Sequence, residues 1–379
     1  MKVSTTVEGA REGCERFEAI MDSKALEINI DKSVYLLAGT KNTVKKIRQE
    51  IAKSPLLYKK SILPEKSTEK WLGMTLNPSG IKETILSTIN ERKGRIINII
   101  HETISIIEDI RMNKLGALKA AKDIWEMVIV PSLLNGASTW IVQDPKIEKL
   151  LEDFQSRMYR GLLAVPMSCP LPSLTYESDS WLIKFRIYCQ ILNLAKHIFS
   201  QDISTSLAKQ IQTEQMKNDW PGHSQMVMKI CNELNIIDPF NDLFNKNQYK
   251  SLVKKACNSQ NNTQLRSQID TYKKMSAIKD EIQKGNSYFF SESLQNVRTL
   301  FRFRVDLFES KMNFKNKVEY KSENYKCDSC ETEIDDNTHV LYCYAYSDLR
   351  QGKNLNHNSD ICEYLQKVLE IRTNLRLQR

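Results

Sequence analysis

Between Ile85 and Ile107 the chain places Ile85, Ile89, Ile96, Ile99, Ile100, Thr103, Ile106 and Ile107 three, four or seven residues apart, with only small offsets. On a helix of 3.6 residues per turn these positions fall on one face. The pattern predicts a long helix over Lys82–Met112 that buries one side in a core. A chain with such an element has to supply other helices to cover it. Further helical patterns follow at Leu115–Leu134, Lys146–Leu163 and Leu182–Phe199, punctuated by Pro131, Pro145, Pro166, Pro170 and Pro172.

The residues before Gly80 read differently. Ala10, Cys14, Phe17, Ile20 and Met21 suit one face of a helix over Glu8–Leu26. Leu26–Gly39 reads as a β-hairpin turning at Asn29–Lys32, and a helix follows at Val44–Lys53. Leu57–Leu63 and Lys70–Leu76 read as two more strands, the second closed by Asn77, Pro78, Ser79 and Gly80. Val165–Tyr176 reads as an extended connection. Gln201–Lys284 reads as polar helix with a loop at the Asn/Gln-rich stretch Asn258–Gln264, then come helices at Ser291–Met312 and Ile361–Leu375. The expected fold is mainly α. It has a small α+β region at 1–80, a helical region at 81–164, a helical linker or tail at 165–320, a small metal-binding module at 321–350 and a closing helix at 351–379.

Hydrophobic residues make up 41% and charged residues 27% of the 379, so a packed globular chain is expected rather than a disordered one. Its 55 basic and 46 acidic residues leave a charge of +9, which permits a polyanionic partner without requiring one. No apolar run is long enough for a membrane span, and the first residues lack the apolar core of a signal peptide. Nine cysteines, an odd number and mostly scattered, fit a reducing, intracellular setting. Cys14, Cys169, Cys189, Cys231 and Cys257 are expected to be packed thiols.

Three cysteines and one of the five histidines crowd into a single stretch: Cys327-x2-Cys330-x8-His339-x3-Cys343. A Cys-x2-Cys turn aims two thiolates at one ion, and a His and a Cys four apart on a helical turn point the same way. Three thiolates and an imidazole close a tetrahedron, so the pattern predicts a structural Zn2+ site with no open catalytic position. Bound zinc is worth about 10 kcal/mol or more of folding free energy to a small module. Disulfides or idle thiols are the alternative. Cys362 lies outside the compact pattern, and His101, His197, His223 and His357 have no such company.

Several stretches, taken in order, resemble one family. Leu26–Ala38, with Asn29–Ser33, resembles the polymerase-palm segment that follows the catalytic aspartates in reverse transcriptases. Trp71-Leu72-Gly73 resembles the primer-grip hairpin. Lys82–Leu134, with Asn135–Trp140 after it, looks like the thumb. Glu177–Ile198 and the Cys-Cys-His-Cys cluster, with Tyr346, Leu349 and Arg350, resemble the C-terminal region of non-LTR retrotransposon polyproteins. The resemblance covers nearly the whole chain. It implies the palm end, thumb and tail of an RNA-directed DNA polymerase, RNA or DNA as partner, other element-encoded proteins as further partners, and a nuclear or cytoplasmic location.

The chain departs from that pattern at the chemistry. Polymerases of this kind hold two metal ions with clustered carboxylates, and the family's adjacent palm aspartates have no counterpart here. Asp335-Asp336 is the one adjacent pair, and it reads as a solvated acidic loop between metal ligands. Mg2+ is therefore expected only in an intact parent enzyme, and this chain alone is expected to be inactive. Lys32 falls where the family has a lysine near the incoming nucleotide; a solvated lysine is the alternative. Trp71 and Gly73 would brace a primer, or Trp71 would pack in the core. Lys45, Lys46 and Arg48, and then Arg92, Lys93 and Arg95, form basic groups fit for phosphates or for a solvated face. Arg298, Arg302 and Arg304, interleaved with Phe301 and Phe303, suit single-stranded nucleic acid or equally a half-buried helix with extended arginines. The competing function is a zinc-stabilised helical module that contacts protein rather than nucleic acid.

Overall fold

The computed structural model describes residues 3–27, 29–71, 73–109, 115–140, 144–220, 222–272, 288–313 and 325–377. Ile28, Leu72, the end of the predicted helix at Met112, the continuation to Lys284 and the start of the predicted metal module at 321–324 lie outside them. The chain is mainly helical and divides into two compact units. One comprises Met1–Gly94 with Asn135–Ile147, and the other Arg95–Leu134 with Glu148–Arg379.

The first unit holds α1 (Val7–Ser23), α2 (Lys41–Lys53), the strands β1 (Leu57–Tyr58), β2 (Ser61–Ile62), β3 (Glu69–Trp71) and β4 (Met74–Leu76), and the first part of α3 (Ile81–Asp109). Thr6 and Thr40 cap the first two helices with their hydroxyls. Its small core is Val7, Ile51 and Leu56, flanked by Ala10, Tyr35, Leu37, Ile47 and Leu63.

Two expectations change here. Leu26–Gly39 is not a hairpin. The Asn29 side chain accepts from the Lys32 amide and closes a 3-10 turn at Ile30–Lys32, so the backbone bonds to itself. Beyond it, Tyr35 makes a parallel bridge to Glu65. Secondly, the two predicted strands are each a complete antiparallel hairpin, β1 with β2 and β3 with β4. Lys59 and Lys60 both have positive φ (45° and 64°), as the tightest hairpin turns demand. Gly73 (φ 81°) turns the second hairpin, where a Cβ would lie 2.8 Å from the Asn135 amide nitrogen.

The second unit takes the rest of α3, then α4 (Ala117–Ile124), a π-helical stretch at Trp125–Ile129 and α5 (Val130–Leu133). Pro131, which has no N–H to offer the preceding turn, follows the wider π turn. Then come α6 (Pro145–Leu163), α7 (Leu171–Glu177), α8 (Ile183–Phe199), α9 (Leu207–Lys217), α10 (His223–Leu234) and α11 (Lys246–Thr271). Leu192, Ala195, Val227, Ile230, Val253 and Leu265 lie in the core that joins α8, α10 and α11.

α11 runs unbroken through Asn258–Gln264, where a loop was expected. Asn261 is buried, and its side chain accepts from the Leu182 amide (2.9 Å) and donates to the Ser180 carbonyl (3.4 Å). The Trp181 indole donates to Asn258 at 3.0 Å. These tertiary bonds offset the weak helix propensity of asparagine. The predicted connection at Val165–Tyr176 is in part helix, since α7 begins at Leu171.

The chain ends with α12 (Tyr288–Ser291), α13 (Leu294–Arg304), α14 (Asn337–Tyr342), α15 (Ser347–Arg350) and α16 (Asn358–Leu377). α13 is shorter than the predicted Ser291–Met312 helix, because Asp306 takes a left-handed φ of 54°. Among the described residues, no helix is long and apolar enough to cross a membrane.

Candidate metal centre

Cys327 and Cys330 sit on a tight turn. The Glu331 amide donates back to the Cys327 carbonyl at 2.8 Å, and Glu331 holds a left-handed φ of 57°. An isolated antiparallel bridge between Lys326 and Ile334 closes the loop. The Asp336 side chain caps α14 by accepting from the His339 amide (2.7 Å), which fixes where that helix begins. His339 then faces inward, and Cys343 follows the last residue of α14, its amide bonded to the His339 carbonyl at 2.7 Å.

The turn and the helix bring four buried ligand atoms, three Sγ and one imidazole nitrogen, within 4.8 Å of one another. Thiolates around one tetrahedral Zn2+ stand about 3.8 Å apart when Zn–S is about 2.3 Å. His339 Nε2 lies 3.4 Å from Cys330 Sγ, and Nδ1 lies 2.9 Å from a Glu333 carboxylate oxygen. That leaves Nε2 to face the ion while Nδ1–H donates to Glu333, the outer-shell arrangement that fixes the tautomer of a metal-binding histidine. The cluster is able to hold a metal ion.

The thiols differ in acidity. Burial alone would raise Cys330, but hydrogen bonds from the Thr332 hydroxyl and from the Glu333 and Thr332 amides bring it down to about 6. Burial pushes Cys343 up to about 12, with Cys327 and Cys330 as negative neighbours. A cation at the centre removes that repulsion, so binding is coupled to proton release.

Asp335 and Asp336 are not a solvated acidic loop. Asp335 is 3% exposed, and its carboxylate receives the Arg372 guanidinium of α16 at 2.6 and 3.3 Å and the Lys311 amide at 2.9 Å. Arg372 also donates to the Tyr346 hydroxyl, which bonds Ser329 between the first two ligands. Arg350 donates to the carbonyls of Cys343 (2.7 Å) and Leu341 (3.2 Å). The ligand pattern was visible in the sequence. Arg350 was named only as part of the resemblance, Glu333 and Arg372 were not singled out, and of these two Glu333 alone carried a signal, as a carboxylate between the two ligand pairs.

The other predicted site residues do not gather around this centre. In the first unit, Lys32 ends the 3-10 turn and is exposed, and Trp71 is exposed rather than packed in the core. Arg92 is partly buried, and it donates to the backbone carbonyls of Gly73 (2.5 Å) and Asn135 (3.0 Å), so its guanidinium pins two turns. Lys93 and Arg95 on α3, like Lys45 and Lys46 on α2, are exposed, whereas Arg48 pairs with Glu65. In the second unit Arg304 is 3% exposed. It donates through Nε and Nη2 to the fully buried Glu177, which also accepts from the Tyr288 hydroxyl at 2.6 Å. Arg298 is buried against Glu108 and the Leu162 carbonyl. Phe301 and Phe303 are core residues. The Arg/Phe pattern of α13 is therefore that of a buried helix at Arg298 and Arg304, leaving Arg302 partly exposed. Cys362 is buried, with its thiol directed at the Asn296 carbonyl rather than at the cluster.

Neither a family model, nor a curated protein, nor a solved structure matches the chain.

Proposed function

We propose that this chain is a zinc-stabilised, nucleic-acid-binding protein of the kind formed by the palm end, thumb and tail of non-LTR retrotransposon reverse transcriptases, without polymerase chemistry of its own. The observation that carries the reading is the buried Cys327–Cys330–His339–Cys343 cluster with its Glu333 support. It stands in order behind the palm-like and thumb-like stretches of the sequence. With all four positions filled by protein, Zn2+ there is structural. Phosphate contacts fall to exposed cations for which the structure records no ion pair: Lys45, Lys46, Lys93 and Arg95.

A second reading has its own support. The exposed residues of the metal module include Glu331, Glu333 and Asp348 beside Tyr342 and Tyr344, which are 70% and 60% exposed. Such a surface repels phosphate and suits a protein partner. On this reading the chain is a zinc-held helical interaction module.

Metal analysis of the purified chain is expected to find one Zn2+, lost in a Cys330→Ser, His339→Ala double variant. A folded, reduced chain without zinc defeats the reading. Binding to single-stranded RNA or DNA is expected to weaken steeply with salt. The Lys93→Glu, Arg95→Glu variant should reduce the log–log salt slope by about 1.5, at roughly 0.7–0.9 per phosphate contact. Absent or salt-independent binding selects the protein-contact reading instead. Primed RNA templates should show no nucleotide incorporation by this chain.

A further inference from the structure

A cleft of about 360 Å3 lies entirely within the second unit, beside α13. Its polar side carries Arg298 and Arg302, one helical turn apart, and its other walls include Pro166, Leu307, Phe308 and Leu369. The two arginines are provided for differently. Arg298 has its charge met by Glu108 at 2.7 Å. Arg302 has no recorded ion pair; its recorded partner is the neutral carbonyl of Ala164, at 2.5 Å from one Nη. Ala164 ends α6 with a left-handed φ of 49°, which turns the chain at the cleft rim. The acidic side chain in the lining, Glu309, is already paired with Arg376 at 2.8 Å.

Arg302 is thus a cation in a confined site, one helical turn from another cation, with the Glu309 carboxylate of the lining engaged by Arg376. Burial lowers its pKa, the Arg298 charge lowers it further, and the Glu309 charge offsets part of that. A half-desolvated guanidinium beside a like charge is stabilised by an anion that accepts its free N–H groups. The space is several times that of a bare phosphate, and much of the remaining wall is apolar.

We propose that this cleft binds a phosphate group carried on an organic body of nucleotide size, with Arg302 bonding the phosphate and the Pro166, Leu307, Phe308 and Leu369 side packing against the body. The phosphate follows from the cleft itself; the choice of a nucleotide rests on the nucleic-acid reading above. The source is either a free nucleotide or the 5′-phosphorylated end of a strand.

The test titrates adenosine 5′-monophosphate, and a short oligothymidylate with and without a 5′-phosphate, into the full zinc-loaded chain. Arg302→Gln removes the charge, and Leu369→Trp fills the cleft while leaving the guanidinium in place. Both variants are expected to weaken binding at least tenfold while retaining zinc and helix content. Loss of the mononucleotide identifies a free-nucleotide site. Loss confined to the phosphorylated strand identifies a strand-end site. If neither probe binds, or if both folded variants bind as tightly as the unsubstituted chain, the proposal is overturned. The Lys93→Glu, Arg95→Glu variant separates the two ideas: it weakens strand binding through α3 and leaves mononucleotide binding unchanged.

Discussion

Glu331 shows what a single backbone angle contributes to the metal centre. It follows Cys330 directly, and its left-handed conformation lets the chain turn back so that its amide reaches the Cys327 carbonyl. A side chain with a Cβ is strained there by about 1 kcal/mol or more, and glycine is not. The Glu331 side chain is exposed and has no recorded ion pair, so little opposes its removal. Glu331→Gly is expected to stabilise the zinc-bound module by up to about 1 kcal/mol, seen as a higher melting temperature and slower zinc loss to a chelator. A lower melting temperature would show that the loop draws on the glutamate in some other way. The four ligands were legible in the sequence because metal binding depends on short spacings. The environments of Asp335, Arg92 and Arg304 were not, since each is defined by partners 37, 43 and 127 residues away.

At the level of elements, α16 is tied to the cysteine loop through one buried ion pair. Arg372 and Asp335 are each about 4% exposed at the side chain. Breaking such a pair from one side leaves an uncompensated buried charge, at a cost of about 3–5 kcal/mol. Arg372→Met is expected to fall in that range by urea unfolding. The Asp335→Asn, Arg372→Met double variant should cost less than the sum of the two single changes. Strict additivity would mean that the two groups stabilise the fold independently. Periodicity made α3, α6, α8 and α16 readable, because each keeps an apolar face of 3.6-residue period. It misled at Asn258–Gln264, where a polar composition resembles a loop until the hydrogen bonds of Asn261 and Asn258 are known. It misled again at Leu26–Gly39, where the local bond from Asn29 wins over strand pairing.

Across the whole molecule, charge is spent in two ways. One set of lysines and arginines is exposed, Lys45, Lys46, Lys93 and Arg95 among them. A smaller set of arginines works inside the second unit, joining stretches far apart in the sequence. Composition records only their sum, so +9 cannot distinguish the two. The internal set bears on how the chain can be divided. Arg298 reaches back to Glu108, and Arg304 and Tyr288 both reach Glu177, so the segment after Tyr288 is stitched to helices laid down more than a hundred residues earlier. Severing the polypeptide between Tyr272 and Tyr288 should therefore not separate its pieces. Expressed together as two polypeptides, they are expected to copurify in equal amounts, as a protein assembled by complementation. Glu177→Gln, at the far end of α7, is expected to weaken that copurification, because both Arg304 and Tyr288 bond to its carboxylate.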